Sequence, residues 1–261
     1  MIVFARTRHD YYHGHSYTDY WKLVNLCNYP TCYVDEIDPA DKTKCYIVSP
    51  LNGEWLAGWP GAKARIIHWD IEWRKLEEYP QIPGVAETWA SDAGYAQTVG
   101  ARYVPMGSHP DLAAGGKNGT APEYDIAMLA YMTYRRDWMA TRFRERGFSI
   151  TPNGWFEKRH EALCATRAMV HVHQHDDIRT VAPQRFALAA AYRLPLISES
   201  IDKRGIFGYS SILMCDYTHL PEFVTMWIKK GRNPLLENYG NALYQLLCVE
   251  FPFRNCVEHA A

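Results

Sequence analysis

In the second half of this 261-residue chain, charged and polar side chains repeatedly follow short apolar runs. Guanidinium groups bind phosphate in a bidentate manner, and a glycine lets the backbone approach a ligand closely. The pattern therefore predicts a site for an anionic, hydroxyl-rich ligand such as a nucleotide diphosphate sugar. The candidate ligand-binding residues are Arg135, Arg136, Asn153, Gly154, His173, His175, Arg185 and Glu199.

Structural roles are the alternatives for each candidate: a solvated helix start, a plain turn, a buried histidine or a surface arginine. His171, His173 and His175 alternate, so a strand would place them on one face, where they could bind a metal. However, no acidic or cysteine partner stands at ligand spacing, and we expect no metal here. Contact with phosphate or sugar is the preferred role for these histidines.

The apolar runs alternate with helical segments, which predicts an α/β fold with a doubly wound parallel sheet. In such sheets the ligand lies beyond the carboxyl ends of the strands, where the candidate residues stand. The predicted strands of this half cover 125–132, 148–151, 168–173 and 194–198.

The first half shows further strand patterns, joined by a helix over 18–28 and a short one over 95–99. A stretch rich in Gly, Pro, Ser and Asn, 107–122, predicts a linker. We therefore expect domains at 1–110 and 111–236, and a C-terminal helix within 237–261 that returns to the first domain. The predicted strands of the first half cover 1–5, 31–34, 44–48, 65–68, 84–90 and 102–104.

Several function classes are disfavoured. The chain has no G-x-G-x-x-G after its first strand, no P-loop motif and no G-x-S-x-G elbow. Its seven cysteines include no C-x-x-C, which argues against zinc or a disulfide framework and fits the cytoplasm. A net charge of −1 does not favour nucleic-acid binding by bulk charge. No apolar run reaches the roughly 18–20 residues of a membrane span, so no membrane partner is expected.

Three further segments resemble motifs of a known family: RIIHWD at 65–70, TWASD at 88–92 with GARYVPMG at 100–107, and QRFAL at 184–188. Over about residues 65–217 the chain resembles the two-Rossmann (GT-B) glycosyltransferases, in their spore-maturation-like branch and its phage-encoded relatives. This resemblance implies two Rossmann-like domains facing a cleft. It also implies a UDP-sugar as donor and no cofactor. Ala187 stands where the family often has a ribose-binding Glu, and Glu199 is the candidate replacement.

Under this resemblance the chain would transfer a hexose, glucose in the first instance, from the UDP-sugar to an acceptor hydroxyl. The opening segment looks like phage enzymes, some of which modify hydroxymethylated bases. The implied partner is then double-stranded DNA carrying 5-hydroxymethylcytosine, in the cytoplasm of a bacterial host. A small-molecule or saccharide acceptor, and a non-catalytic nucleotide-sugar-binding module, remain as alternatives.

Transfer requires a clamp on the leaving diphosphate and a base for the acceptor hydroxyl. No D-x-D ends a predicted strand, so we expect metal-independent chemistry with arginines as the clamp. The base is expected from the first half, with Asp70, Asp10 and His13 as candidates. Asp92, just before the short helix, is a further candidate, with a role as the N-cap of that helix as the alternative.

Overall fold

The computed structural model describes residues 1–8, 18–49, 57–71, 81–113, 122–151, 157–177, 179–228 and 233–261. The chain forms two compact units. Unit 1 consists of residues 1–106 together with 253–261, and unit 2 of residues 107–252. Each unit is built on one sheet whose paired strands all run parallel, so the predicted α/β class is confirmed.

Unit 1 contains a six-stranded sheet in the order β2-β1-β3-β4-β5-β6. All six predicted strands are present. The last long one begins at Glu87 and not at Gly84, because Gly84 has a φ of 77°, outside the extended region. The strands are β1 Ile2–Arg6, β2 Thr31–Tyr33, β3 Cys45–Val48, β4 Arg65–Asp70, β5 Glu87–Ala90 and β6 Arg102–Tyr103.

In the described parts of the connections between these strands lie two α-helices, α1 Thr18–Leu26 and α2 Ala93–Val99. The Asp92 side chain accepts a hydrogen bond from the backbone N–H of Tyr95 at 2.7 Å, so Asp92 is the N-cap of α2. The helix ends at Gly100, whose φ of 69° is left-handed and is adopted most readily by glycine.

Aromatic side chains form much of the interior of unit 1. Phe253 opens the last helix, α8 Phe253–Ala260, and is fully buried against the Trp69 ring, with 5.7 Å between centroids. Phe4 and Tyr20 pack against the same phenylalanine, each with a centroid separation of 6.0 Å. These four rings therefore form one aromatic cluster in the core of unit 1.

Unit 2 contains a four-stranded sheet in the order β10-β9-β8-β7. The predicted strand 148–151 is reduced to a single bridge between Ile150 and Ile126, because only four residues separate Gly147 from Pro152, which has no N–H to donate. The edge strand β10 was not predicted, although the apolar run at 212–215 signals it. The strands are β7 Tyr124–Ala127, β8 Thr166–His171, β9 Leu196–Glu199 and β10 Leu213–Cys215.

The predicted C-terminal segment is divided between the units. Helix α7, Pro234–Tyr244, continues into a π-helix, Gln245–Glu250, and belongs to unit 2, whereas α8 belongs to unit 1. Within the described ranges, the helices are all too short or too polar to cross a bilayer. The helices of unit 2 are α3 Tyr134–Glu145, α4 Glu157–Cys164, α5 Pro183–Ala191, α6 Leu220–Trp227 and α7 Pro234–Tyr244.

Truncation of Phe253 should destabilise the protein strongly. Phe253→Ala removes a fully buried ring and leaves a cavity beside Trp69, so we expect the free energy of unfolding to fall by about 3–5 kcal/mol. Denaturant unfolding followed by tryptophan fluorescence measures this. Leu235→Ala is the control, because Leu235 is 66% exposed and its truncation should cost less than about 0.5 kcal/mol. Equal losses in the two variants would contradict the packing role.

Candidate functional site

The carboxyl ends of β7, β8 and β9 bring one cluster of polar side chains together in unit 2. Because the three strands are parallel neighbours, the segments that leave them emerge at the same edge of the sheet. Thr133 caps α3 after β7, and Arg135 lies in the first turn of that helix. His173 follows β8, and Glu199 is the last residue of β9. An arginine that starts beside β7 can therefore reach a glutamate two strands away.

Arg135 and Glu199 form a bidentate ion pair at this edge. Nη1 of Arg135 donates to Oε2 of Glu199 at 2.7 Å, and Nη2 donates to Oε1. Only 13% of the arginine side chain and 5% of the glutamate side chain are exposed. The backbone N–H of His173 also donates to Oε2 at 3.0 Å. The glutamate charge is thus held by both neighbouring segments.

Three further contacts fix the Arg135 guanidinium. Its Nη1 donates to the carbonyl of His173 at 3.2 Å, and its Nε donates to Asp176. Its carbon Cζ lies 3.7 Å from the centroid of the Tyr217 ring, whose hydroxyl donates back to the Arg135 carbonyl at 2.9 Å. Burial lowers the pKa of Arg135, but the hydrogen bonds and charges of Glu199 and Asp176 outweigh it, and the pKa is raised overall. The group is a fixed cation.

Arg136 has a different environment. It is buried, and its guanidinium donates from Nε to the carbonyl of Val172 at 3.0 Å and from Nη1 to the carbonyl of Tyr131 at 2.9 Å. Burial first, and the nearby positive charge of Arg135 second, lower its pKa to about 10. Both contacts fasten the segments that leave β7 and β8. The structure therefore gives Arg136 a supporting position, away from the lining of the cavity described below.

The three histidines have separate environments. His173 is buried, and its Nε2 donates to the carbonyl of Ser200 at 2.9 Å, while burial lowers the pKa of its ring. His171 is also buried, and its Nδ1 accepts from Nη1 of Arg185 at 3.2 Å. His175 is exposed. In the described part of the chain, no group of His, Cys, Asp or Glu is arranged to hold a metal ion.

A cavity of about 260 Å³ opens beside the ion pair. Its lining brings two guanidinium groups and three carboxylates together. Asp176, Arg179 and Tyr217 were not singled out from the sequence, because Asp176 and Arg179 lie in loops and Tyr217 begins a single 3-10 turn, Tyr217–His219, none of which gives a periodic signal. Its charged and aromatic lining residues are Arg135, Arg179, Asp176, Glu199, Asp216 and Tyr217.

Arg185 is in the first turn of α5, whose N-cap residue, Ala182, has no polar side chain to offer the first N–H groups of the helix. Arg185 is half-buried and is not part of the cavity lining, although it was predicted to share a site with Arg135. Asn153 and Gly154 lie outside the described residues, and their part in ligand binding remains a prediction.

Among the predicted bases, Asp70 ends β4 in unit 1 and is buried, with the Tyr95 hydroxyl donating to its Oδ2 at 3.3 Å. A buried carboxylate at the carboxyl end of a parallel strand occupies the position expected of a functional acid in this kind of sheet. Asp10 and His13 lie outside the described residues.

No protein-family model matches this sequence, and no curated protein matches it. Solved structures do match the fold. AviGT4, a glycosyltransferase involved in avilamycin A biosynthesis, aligns with a TM-score of 0.61 and 10% identity, over 100% of this chain and 96% of AviGT4. The chain has the GT-B fold.

Three further solved structures share this architecture. A DNA-modifying β-glucosyltransferase, solved with and without uridine diphosphoglucose, aligns with a TM-score of 0.51 and 11% identity, over 100% of this chain and 96% of that one. A T4 phage β-glucosyltransferase in complex with UDP and Mn²⁺ aligns with a TM-score of 0.52 and 12% identity, over 98% of this chain and 96% of the phage enzyme. For TarM the TM-score is 0.56 and the identity 6%, over 87% of this chain but 55% of TarM. At such identities the likeness establishes the fold alone.

Removal of the Glu199 charge should destabilise unit 2. Glu199→Gln keeps the side-chain shape but removes the buried carboxylate of the pair and leaves the largely buried Arg135 with only the exposed Asp176, and we expect a loss of about 3–5 kcal/mol in the free energy of unfolding. The matched control is Glu145→Gln, in the pair with Arg142, where both side chains are about half exposed and the expected loss is below about 1 kcal/mol. Denaturant unfolding compares the two. A Glu199 variant no less stable than the control would contradict the structural importance of the pair.

Proposed function

We propose that this chain is a glycosyltransferase that moves a hexose from a UDP-sugar to an acceptor hydroxyl, with glucose as the proposed hexose. The observation that carries the proposal is the Arg135–Glu199 pair, which borders a ligand-sized cavity at the carboxyl ends of the parallel strands of unit 2. Parallel α/β sheets bind their ligands at this edge. The GT-B fold supports sugar transfer as the reaction.

The donor diphosphate is assigned to guanidinium groups at this edge. Arg135 and Arg179 line the cavity, and Arg185 lies at the uncapped N-terminus of α5, where N–H groups and the helix dipole favour an anion. Among the described residues, Oε1 of Glu199 accepts one hydrogen bond, from Nη2 of Arg135, and it can accept another from a ribose hydroxyl. This supports Glu199 as the replacement for the family's ribose-binding glutamate.

The proposed reaction forms a bond between the acceptor oxygen and the anomeric carbon, and breaks the bond from that carbon to the diphosphate oxygen. UDP leaves with the electron pair, and the fixed cations stabilise the charge that develops on it. The proton of the acceptor hydroxyl passes to a carboxylate, for which we propose Asp70. Its burial against Tyr95 fixes the orientation of that carboxylate.

For the acceptor we propose 5-hydroxymethylcytosine in double-stranded DNA. Support comes from the fold shared with a DNA-modifying β-glucosyltransferase, and from the arginines, histidines and tyrosines near the start of the chain. A base flipped out of a duplex requires an aromatic pocket and cations for its flanking phosphates. A saccharide or small alcohol is the alternative acceptor.

The direct test is incubation with UDP-glucose and DNA that carries 5-hydroxymethylcytosine, followed by nucleoside mass analysis. We expect the mass of a hexose on the modified base and release of UDP. Cytosine DNA is the control substrate. If the hexose is transferred to a saccharide in a parallel panel of acceptors but not to DNA, the proposal of a DNA acceptor is wrong and the proposal of a glycosyltransferase is retained. Binding of UDP without transfer to any acceptor would instead support a non-catalytic module.

The same assay in excess EDTA tests metal independence. We expect turnover to persist, because arginines and a helix N-terminus can carry the charge of the leaving diphosphate without a metal. The EDTA experiment is informative because the T4 phage β-glucosyltransferase, which shares the fold, was solved in complex with UDP and Mn²⁺. Loss of turnover in EDTA, restored by Mn²⁺ or Mg²⁺, would show that a divalent ion takes part.

Replacement of Asp70 should suppress turnover without abolishing donor binding. In Asp70→Asn the amide cannot take the acceptor proton, and we expect kcat to fall by about 10²–10⁴-fold. Asp92→Asn is the matched control, because asparagine also caps helices and Asp92 is a buried acid of the same unit. UDP titration verifies that the donor site is intact. If both variants retain wild-type turnover, Asp70 is not the base.

A further inference from the structure

The N–H groups of Arg135 are almost all committed within the protein. Its end-on edge, formed by Nη1 and Nη2, holds Glu199, and the second Nη1 hydrogen holds the carbonyl of His173. One face of the guanidinium lies on the Tyr217 ring. The remaining edge is formed by Nε–H and the second Nη2 hydrogen. A phosphate that binds Arg135 in a bidentate manner must use this side edge.

The side edge is already occupied by a carboxylate. Nε of Arg135 donates to Oδ1 of Asp176, while the second Nη2 hydrogen has no partner among the described residues. Asp176 differs from Glu199 in one important respect: its side chain is 88% exposed, whereas that of Glu199 is 5% exposed. Glu199 is therefore a fixed part of the site, and Asp176 is a carboxylate in water that can leave at little cost.

We propose that Asp176 is an internal competitor of the donor, whose carboxylate occupies the edge of Arg135 that a donor phosphate takes. This inference rests on the proposed function, because it assumes a phosphate-bearing donor in this cavity. Binding of the nucleotide sugar then breaks the Arg135–Asp176 contact, and departure of UDP restores it. Asp176 thereby weakens the affinity for donor and product without contacting either in the bound state.

The electrostatics of the cavity lead to the same conclusion. Its lining holds the cations Arg135 and Arg179 against three carboxylates, so the ligand-free cavity carries a formal excess of negative charge. An incoming diphosphate is repelled unless one carboxylate withdraws. Asp176 is the carboxylate that has to withdraw, because it is exposed and pairs with the side edge of Arg135. Glu199 is buried and bound from both sides, and Asp216, although exposed, forms no ion pair with Arg135 among the described residues.

The test compares Asp176→Asn with Asp177→Asn. Both substitutions remove one negative charge from the same loop, but Asp177 is exposed and contacts no charged partner in the described part of the chain. Exposed ion pairs contribute up to about 1 kcal/mol, so Asp176→Asn should bind UDP about two- to fivefold more tightly. Asp177→Asn should change the affinity by less than about 1.5-fold at physiological salt, where screening is strong. Isothermal titration with UDP, and product inhibition of turnover by UDP, provide two independent readouts.

The outcomes separate this inference from the proposed function. If the wild type binds UDP and transfers glucose, but Asp176→Asn binds UDP no more tightly than Asp177→Asn, the competitor is disproved and the transferase stands. Weaker UDP binding in Asp176→Asn would also disprove it, since Asp176 would then be a ligand contact. A wild type that neither binds UDP nor turns over UDP-glucose would remove the proposed function, and this inference with it.

Discussion

The buried ion pair of Arg135 and Glu199 is the interaction on which the edge of the unit 2 sheet depends. A carboxylate with so little contact with water is stable only when its charge is paired and its oxygens accept hydrogen bonds. Glu199 satisfies both conditions by joining three neighbouring strands: its own β9, the exit of β8 through the N–H of His173, and the exit of β7 through Arg135. The same pair leaves one edge of the guanidinium directed toward the cavity. The Arg135 side chain therefore both stabilises this edge of the sheet and offers the group that would recognise an anion.

Arg136 complements this arrangement from inside. The sequence presents two adjacent arginines that look equivalent, yet their positions on α3 point them into different environments. Arg136 donates to backbone carbonyls that follow β7 and β8, and the carbonyl after β8, that of Val172, is buried. The segments that carry His173 and Tyr131 are thereby fixed. The two adjacent arginines therefore have different roles: Arg136 supports the segments that follow β7 and β8, and Arg135 faces the proposed ligand.

Unit 1 is organised by packing. Its aromatic interior includes Trp69 on β4 and Phe253 on the last helix, which brings the end of the chain back onto the first sheet. The residue after Trp69 is Asp70, and the core packing of β4 therefore also fixes the position of the proposed base. A buried acid that accepts a hydrogen bond from a tyrosine hydroxyl has a defined orientation, which a proton acceptor needs.

The sequence by itself determined the alternation of strands and helices, the parallel class of both sheets and the side of the sheet on which polar residues collect. These follow from local periodicity, which does not depend on distant residues. It also indicated that Asp92 could cap a helix, as it does. The short run at 148–151 was misjudged as a full strand, because strand length depends on a pairing partner as well as on apolar character.

Only the tertiary structure decided which charges meet. Arg135, Asp176 and Glu199 are far apart in the chain, and their contacts depend on three parallel strands placing their carboxyl ends side by side. Ion pairs between segments that are distant in the chain leave no periodic signal in a single sequence. For this reason only the fold revealed Glu199 and Asp176 as the partners of Arg135.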